Sequence, residues 1–403
     1  VEHPITEYIT GIDLVEEMIR VAAGHPLKLK QQDVPLKGWA IESRVYAEDP
    51  EKYLPSIGTL RKYQEPRAET DLQEVRVDSG IVEGSEISIH YDPMISKLCT
   101  YGRDRNEAIQ NMRRALDTYV IQGVTHNIPL LRDIIDQPDF QSGKLSTNFL
   151  AEHYPQGFRG QKLTPTTQHE LVTTAALGHA IREIRNSTLS QPASRQSLGP
   201  HSVYYPTQTE WQAQVKLPVS AAESEAPAPI PVKVALVDKT FSLTEPNIFE
   251  VQVNGESTQR VTVDWPVESP VIKTTTSLAD GSSSQEVIVQ YIDSLPLGLR
   301  LQHHGTHFDV QVLSATQSHL SKYMKEKAPL DLSKVVLSPM PGRVVSINVK
   351  VGDVIAEGGE LAVVEAMKMQ NVLRAPKAGT IKAVHVAAND TVNADEIIIE
   401  LED

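Results

Sequence analysis

Val364-Glu365-Ala366-Met367-Lys368-Met369-Gln370 lies near the C-terminus, between two halves of a sequence repeat. An offset of about 37 residues lays residues 337–344 on residues 374–381, so that Gly342 meets Gly379. Both halves contain short β-branched runs interrupted by Gly-Asp, Asn-Asp or Gly-Gly, which are typical of strands joined by tight turns. The stretch around the repeat therefore predicts an all-β unit.

The repeat also predicts how this unit folds. At the same offset residues 349–353 fall on residues 386–390, and after a slip of one residue 360–364 fall on 396–400. Neither half can bury its apolar face alone, so we expect a flattened barrel with a pseudo-twofold axis and Lys368 in an exposed hairpin turn where the halves join. The matched positions of the two glycines, 342 and 379, predict turns with positive φ.

These residues resemble a known family. Glu365-Ala366-Met367-Lys368-Met369, with Pro339-Met340-Pro341-Gly342 upstream, is similar to the biotin carboxyl carrier domain of biotin-dependent carboxylases. The resemblance implies biotin attached covalently to Lys368, with Met367 and Met369 beside it, and a biotin protein ligase as partner. A lipoyl domain has the same fold but usually an acidic residue before its lysine and an alanine after it, so the methionines favour biotin. A solvated turn lysine without a function is the remaining alternative.

Composition excludes several classes of protein. The chain has 403 residues, 40% hydrophobic and 22% charged, which is room for two to three ordinary domains. The net charge of −14 argues against nucleic acid as a partner. Neither a membrane span nor a signal peptide is predicted. The single cysteine, Cys99, excludes a disulfide framework and fits a reducing compartment. Because the chain opens on Val1 rather than methionine, we interpret it as a fragment.

The first 155 residues mix helices and strands. Asp13 precedes a predicted amphipathic helix that ends at Gly24. The periodicity predicts further helices over residues 106–119 and 130–135 and strands over residues 40–46, 75–77, 87–90 and 95–98.

This region resembles the C-terminal portion of biotin carboxylase, an ATP-grasp enzyme. The matching segments are Val1-Glu2-His3-Pro4, Gly11-Ile12-Asp13-Leu14, Arg44-Val45-Tyr46-Ala47-Glu48-Asp49-Pro50 and Tyr91-Asp92-Pro93-Met94. The resemblance implies that Glu2 is the base that deprotonates bicarbonate and that Arg44 stabilises the biotin enolate. Tyr53 is the nearest candidate for the aromatic residue that contacts the biotin bicycle. Without the resemblance, Glu2 would be a solvated carboxylate and Arg44 a strand-edge charge.

The cofactors of the full-length enzyme in this family are ATP, bicarbonate and Mg in addition to biotin. The glycine-rich ATP lid, the central lysines and the metal-binding residues that the family places before Val1 are absent from this sequence. We therefore expect this chain by itself not to hydrolyse ATP.

The middle of the chain predicts a helix inside a barrel. Apolar residues spread around the whole surface of a helix over residues 166–184, so this helix needs to be enclosed. Thr166 or Thr167 can cap its start, and Arg182 and Arg185 suit its C-terminal dipole. Strands are predicted over residues 203–205, 211–217, 232–237, 248–253, 261–267, 286–292 and 299–313, with turns at Asn254-Gly255, Asp280-Gly281 and His304-Gly305. A further helix is predicted over residues 314–327.

This order of elements resembles the connector domain of biotin-dependent acyl-CoA carboxylases. It implies a carboxyltransferase β subunit as partner, bound by the exposed edges and loops of the barrel, with the acyl-CoA substrate reached through that subunit. His303, His304 and His307 raise the question of a metal site. Since no cysteine is near and Asp309 is the only close carboxylate, we expect a plain polar hairpin and no metal.

Taken together, these patterns predict a multidomain α+β protein: residues 1–155 the C-terminal part of an ATP-grasp biotin carboxylase domain, 163–328 a subunit connector with a helix in an antiparallel barrel, and 333–403 an all-β biotinyl (hammerhead) domain. Between the two ends there is no room for the carboxyltransferase of a pyruvate carboxylase.

The resemblance implies the α subunit of a carbon–carbon bond-forming ligase that carboxylates biotin for transfer to propionyl-CoA, giving methylmalonyl-CoA. The alternatives are a 3-methylcrotonyl-CoA enzyme, a lipoyl-type acyl carrier and an unmodified scaffold. Met369-Gln370 is more similar to mitochondrial members than to bacterial ones, which implies the mitochondrial matrix, with the bacterial cytoplasm as the alternative.

Overall fold

A computed structural model describes residues 3–66, 74–87, 92–189, 203–218, 228–277, 286–321, 323–324, 334–366 and 369–402. The helices are α1 (Pro4–Thr10), α2 (Leu14–Ala22), α3 (Arg105–Thr118), α4 (Ile128–Asp136), α5 (Pro138–Ser142), α6 (Phe149–His153), α7 (Pro165–Leu189) and α8 (Ala315–Ser321), with a 3₁₀ turn at Gln31–Asp33.

The first nine strands are β1 (Trp39–Tyr46), β2 (Glu48–Asp49), β3 (Leu54–Pro55), β4 (Gly58–Thr59), β5 (Lys62–Gln64), β6 (Val75–Ser79), β7 (Glu86–Ile87), β8 (Met94–Gly102) and β9 (Val120–Gln122). The middle strands are β10 (Val203–Tyr204), β11 (Glu210–Lys216), β12 (Ile230–Leu236), β13 (Phe241–Ser242), β14 (Asn247–Val253), β15 (Gln259–Asp264), β16 (Val271–Ser277), β17 (Val287–Leu295), β18 (Gly298–His303) and β19 (Thr306–Ser314). The last strands are β20 (Val335–Leu337), β21 (Gly342–Ile347), β22 (Val354–Ile355), β23 (Glu360–Ala366), β24 (Met369–Arg374), β25 (Gly379–Val384), β26 (Thr391–Val392) and β27 (Ile397–Glu402).

The first unit is built on an antiparallel sheet of order β1-β8-β6. Helix α3 packs across it and α1 lies against β1 and β8. The buried core includes Val45, Leu98, Met112, Leu116 and Tyr119. The helices and strands predicted from periodicity are present here, although of the strand predicted over residues 87–90 only Glu86–Ile87 lies within the described residues.

Helix α2 is amphipathic, as predicted, and Asp13 caps it by accepting a hydrogen bond from the Glu16 amide at 2.8 Å. Its apolar side chains nevertheless lie in solvent: Met18 is 67% exposed and Ile19 65%. Amphipathic periodicity predicts a helix with one apolar face, but it does not specify what covers that face.

The middle unit is a closed barrel of eight antiparallel strands in the order β11-β12-β14-β15-β16-β17-β18-β19. Closure comes from the pairing of β11 with β19. Strand β16 was not predicted, because its apolar residues Val271 and Ile272 are adjacent and polar residues follow them, so the sequence shows no alternation. It also assigned residues 203–205 to the barrel, but β10 pairs with β13 outside it.

Helix α7 lies inside this barrel, which confirms the predicted enclosure. All eight of its predicted apolar contact residues are buried: Leu171, Val172, Ala175, Ala176, Leu177, Ala180, Ile181 and Ile184. The predicted cap was wrong, because the helix begins at Pro165 and Thr164 caps it. The Thr164 hydroxyl accepts from the Thr167 amide at 3.2 Å, while the Thr167 hydroxyl accepts from the Thr164 amide at 2.7 Å.

The arginines late in α7 contact the barrel wall. Arg185 stacks over the Trp265 ring at 4.5 Å and donates to the Trp265 carbonyl. Arg182 lies over Tyr291 at 5.6 Å. Burial lowers the pKa of Arg185 to about 10.

The C-terminal unit consists of two four-stranded sheets, β20-β27-β25-β22 and β24-β23-β21-β26, as the repeat predicts. The offset is 37 throughout, because Arg343 pairs with Glu365 in one half and Thr380 with Glu402 in the other. The predicted slip of one residue was therefore wrong. Each half carries a bulge at the same place, after Val344 in β21 and after Ile381 in β25, and these bulges keep the two halves in register.

The first unit and the barrel are in contact. The Gln290 side-chain amide donates to the backbone carbonyls of Asp117 and Tyr119 at 2.9 and 3.0 Å, and Val120, Val271 and Ile288 form a small buried cluster across the junction. Among the residues that the structure describes, no helix combines the length and apolar character needed to cross a bilayer.

Candidate functional site

The candidate attachment site lies at a hairpin of the C-terminal unit. Strands β23 and β24 are paired up to Ala366 and Met369, so Met367 and Lys368 are the two residues that connect them. Both residues lie outside the described part of the chain, as does the side chain of Met369. The pairing of these strands is described up to Ala366 and Met369, and the exposed turn position of Lys368 stays a prediction.

Two glycines fix the geometry of the sheets that carry this hairpin. A Cβ on Gly342 would lie 2.6 Å from the Glu365 carbonyl oxygen, and one on Gly379 would lie 2.7 Å from that of Glu402. The predicted positive φ was wrong, since neither glycine has one. The matched positive φ values occur instead at Gly352 (93°) and Asn389 (78°). Close backbone approach, rather than turn geometry, therefore requires glycine at positions 342 and 379.

Arg44 lies on β1, opposite Lys97 of β8. Its side chain is 42% exposed and its Nε lies 3.4 Å from Glu42 Oε1. The Asn127 side chain bonds to the end of this strand. Its Nδ2 donates to the Arg44 carbonyl at 3.1 Å, and its Oδ1 accepts from the Tyr46 amide at 2.9 Å. The guanidinium is therefore presented from a fixed strand and remains accessible to a ligand.

Glu2 lies outside the described residues, but the helix that follows it is firmly anchored. The Glu7 carboxylate accepts from Arg76 Nη1 at 2.6 Å and from the Leu14 amide at 2.9 Å. Arg76 also donates from Nε to Asp78 at 2.7 Å, and the hydrogen bonds to these two carboxylates raise its pKa. These contacts hold α1 on the sheet that carries Arg44. No local sequence pattern predicts the pairing of Glu7 with Arg76, because the two residues are 69 positions apart.

Tyr53 follows a tight turn made by Asp49. The Asp49 side chain accepts from the amides of Glu51 and Lys52, and its carbonyl accepts from the Tyr53 amide at 2.7 Å. Tyr53 has a left-handed backbone (φ 56°), its side chain is half exposed, and its ring lies beside Gly157. Its contact with biotin stays a prediction.

Four family profiles match the chain. They are the carbamoyl-phosphate synthase L chain ATP-binding domain over residues 1–30, the biotin carboxylase C-terminal domain over 42–152, the propionyl-coenzyme A carboxylase BT domain over 171–327, and the biotin-requiring enzyme profile over 334–401. Propionyl-CoA carboxylase α chains are similar along the whole sequence, with 44% identity to the mitochondrial protein of Rattus norvegicus and 45% to that of Homo sapiens, each match covering 100% of this chain. The chain belongs to the propionyl-CoA carboxylase α-chain family.

The chain is also similar to two further curated relatives and to one solved structure. The α chain of the bacterium Ruegeria pomeroyi is 39% identical over the whole of this chain and 57% of its own length, whereas a mitochondrial methylcrotonoyl-CoA carboxylase subunit α of Mus musculus is only 28% identical. A solved biotin carboxylase subunit of pyruvate carboxylase is 44% identical over 40% of this chain and 35% of its own, with a TM-score of 0.38. The chain spans about half the length of its rat and human relatives, 51% in both.

Proposed function

We propose that this chain carries biotin on Lys368 and acts as part of the α subunit of a propionyl-CoA carboxylase. The observation that carries the proposal is the register of β23 and β24, which leaves Met367-Lys368 as a two-residue connection at the centre of a twofold-related pair of sheets. A lysine in so short a connection has little of its own fold to pack against. Biotin, once attached, supplies the ureido nitrogen that accepts a carboxyl group.

The fit of the chain to this role extends beyond the lysine. The close approach of Gly342 to the Glu365 carbonyl brings residues 339–342 alongside the end of β23, next to the hairpin. Both segments of the carrier resemblance therefore meet at one end of the unit, although they lie some two dozen residues apart in sequence.

We further propose the roles of Glu2 and Arg44. An ionised carboxylate before α1 would take the proton of bicarbonate, and the guanidinium of Arg44 would face the oxyanion formed when biotin loses its proton. Support comes from the anchoring of α1, which begins two residues after Glu2, and of β1, which carries Arg44, on one sheet. The residues that would bind ATP and Mg are absent from this sequence, so no step through them is assigned to it.

The proposed carboxyltransferase β subunit would be bound by the barrel. All eight barrel strands are paired on both sides, so no free strand edge remains among them for the expected binding by exposed edges and loops. The proposal therefore rests on the loops and outward side chains of the barrel. The proposed domain boundaries, 1–155, 163–328 and 333–403, place the whole of this barrel in the middle domain.

The decisive experiment is enzymatic labelling of the whole chain. Incubation with a biotin protein ligase, ATP and biotin should add the mass of one biotin, and peptide mapping should place it on Lys368. Lys368→Arg should abolish labelling, whereas the matched variant Lys350→Arg should leave it intact. A folded chain that takes lipoate, or no modification, under the same conditions would overturn the proposal.

A further inference from the structure

The turn between β18 and β19 brings two histidines against the helix inside the barrel. His303 Nε2 lies 3.0 Å from Glu170 Oε2, and the rings of His303 and His304 are 4.1 Å apart. One ligand atom from each of the three side chains can be chosen so that all lie within 4.8 Å of one another. Glu170 lies 133 residues before His303, which is why the sequence analysis found no carboxylate for these histidines other than Asp309.

We propose that Glu170, His303 and His304 form a binding site for Zn²⁺. Two imidazole nitrogens and one carboxylate oxygen are a donor set that zinc accepts, with a fourth position left for water. Mg²⁺ and Ca²⁺ prefer all-oxygen ligands, so this set discriminates against them. The proposal reverses the sequence-based expectation of a plain polar hairpin.

Burial and hydrogen bonding distinguish this cluster from an ordinary core histidine pair. His303 is 1% exposed, and its Nδ1 is buried without a hydrogen-bond partner among the described residues. A buried side chain retained only for packing and hydrogen bonding normally has its polar atoms paired. His304 has an outer partner in the Gln161 side-chain amide, 2.9 Å from Nδ1. Since the amide oxygen and nitrogen of a glutamine exchange by rotation, Gln161 can accept from Nδ1–H and so orient Nε2 towards a metal.

The geometry and charge of the surroundings are compatible with a cation. Zinc bonds of about 2.0–2.1 Å require ligand atoms roughly 3.4 Å apart, so a small rotation of Glu170 or His304 would close the set. The cluster opens on a cavity of about 660 Å³, whose walls carry three arginines and four carboxylates. Each of these arginines is paired with a carboxylate: Arg132 with Asp117 and Asp136, Arg113 with Asp136 as well, and Arg114 with Glu286.

A metal here would tie three parts of the chain together. Glu170 belongs to α7, and Gln161 belongs to the segment that leads into it. The β18–β19 turn packs against the start of α4, where a Cβ on Gly305 would lie 2.8 Å from Pro129 Cα. Zinc would therefore fix the inner helix to the barrel wall, at the turn that also contacts the first unit.

The test uses the whole untagged chain, treated with a chelator and then dialysed against Zn²⁺. We expect about one zinc per chain by mass spectrometry of the metal, a higher Tm with zinc than without it, and visible absorption bands on substitution with Co²⁺. Excess Mg²⁺ should not displace the zinc. A chain that binds no zinc can still be biotinylated on Lys368. The zinc proposal and the biotin proposal are therefore tested independently.

The chain has 13 histidines, two of them in the proposed site. Matched variants separate these two from the rest. Glu170→Gln and His304→Asn should each lower zinc affinity by more than the roughly 10–100-fold that loss of an outer partner causes. His307→Asn should retain the zinc, because His307 Nε2 bonds to Gln302 at 3.0 Å and lies outside the cluster. Circular dichroism checks that each variant is folded. No zinc uptake, or equal uptake by a folded Glu170→Gln chain, would overturn the site.

Discussion

Gly342 and Gly379 occupy equivalent positions 37 residues apart, and each faces the backbone carbonyl that its own half places at the end of a strand, Glu365 at 2.6 Å and Glu402 at 2.7 Å from the missing Cβ. The two halves of the C-terminal unit thus share a close backbone contact that any side chain at these positions would disturb.

The first prediction concerns these glycines. Gly342→Ala and Gly379→Ala should each destabilise the C-terminal unit by about 1–3 kcal/mol, because the added methyl group must push two paired strands apart. Thermal unfolding of the whole chain measures the loss. Gly80→Ala is the matched control, since a Cβ there meets nothing within 4 Å, and it should change Tm little. Equal effects at all three positions would contradict the steric explanation.

The second prediction concerns the proposed chemistry of Glu2 and Arg44 in a protein extended to the full length of its relatives. Glu2→Gln should reduce biotin carboxylation by ~10²-fold or more while ATP binding persists, since a positioned base contributes about that much. Arg44→Lys should also impair turnover, because an ammonium does not reproduce the planar guanidinium fork. Carboxylation of free biotin is the measurement, and unchanged rates would remove these residues from the mechanism.

The third prediction distinguishes the two caps considered for α7. Thr164→Ala should destabilise the barrel by about 1 kcal/mol, because it removes the acceptor for the Thr167 amide at the start of the helix. Thr166→Ala, at one of the two cap positions predicted from sequence, should have little effect, since Thr166 is exposed. Urea unfolding of the two variants side by side measures the difference. A larger loss in Thr166→Ala would restore the sequence-based cap.

The fourth prediction is a pH dependence due to His126. This side chain is buried, and its burial, helped by the neighbouring His307, lowers its pKa to about 3. An unfolded histidine takes up a proton near pH 6.5 whereas the folded one does not. Stability is therefore fully present above about pH 6.5 and falls as the pH drops towards 3, by at most ~1.4 kcal/mol per pH unit.

His126→Gln should remove this part of the pH dependence. The free energy of unfolding in urea, measured at several pH values between 7.5 and 5, should fall less steeply for the variant than for the unchanged chain. His25→Gln is the control, because His25 is exposed and should leave the slope as it is. Parallel slopes for the unchanged chain and His126→Gln would show that His126 does not contribute.

Local patterns predicted two main features of the architecture. The repeat around Lys368 predicted two equivalent β halves with matched β-branched runs and turn residues. Neither half can bury its apolar face alone, so the two must pack together. The apolar residues spread around residues 171–184 predicted an enclosed helix, because no one-sided contact can cover such a surface. The family resemblance then followed from short motifs whose residues are adjacent in sequence.

Only the tertiary structure decided what depends on residues that are distant in sequence. It showed that Gly342 is needed for a close backbone approach rather than for a turn, and that the predicted barrel is closed by the pairing of β11 with β19. It also placed Glu170 against His303, and Glu7 against Arg76. The physical reason is common to all of these: periodicity and propensity act over a few residues, whereas steric contact, strand closure and the pairing of buried charges are set by the chain as a whole.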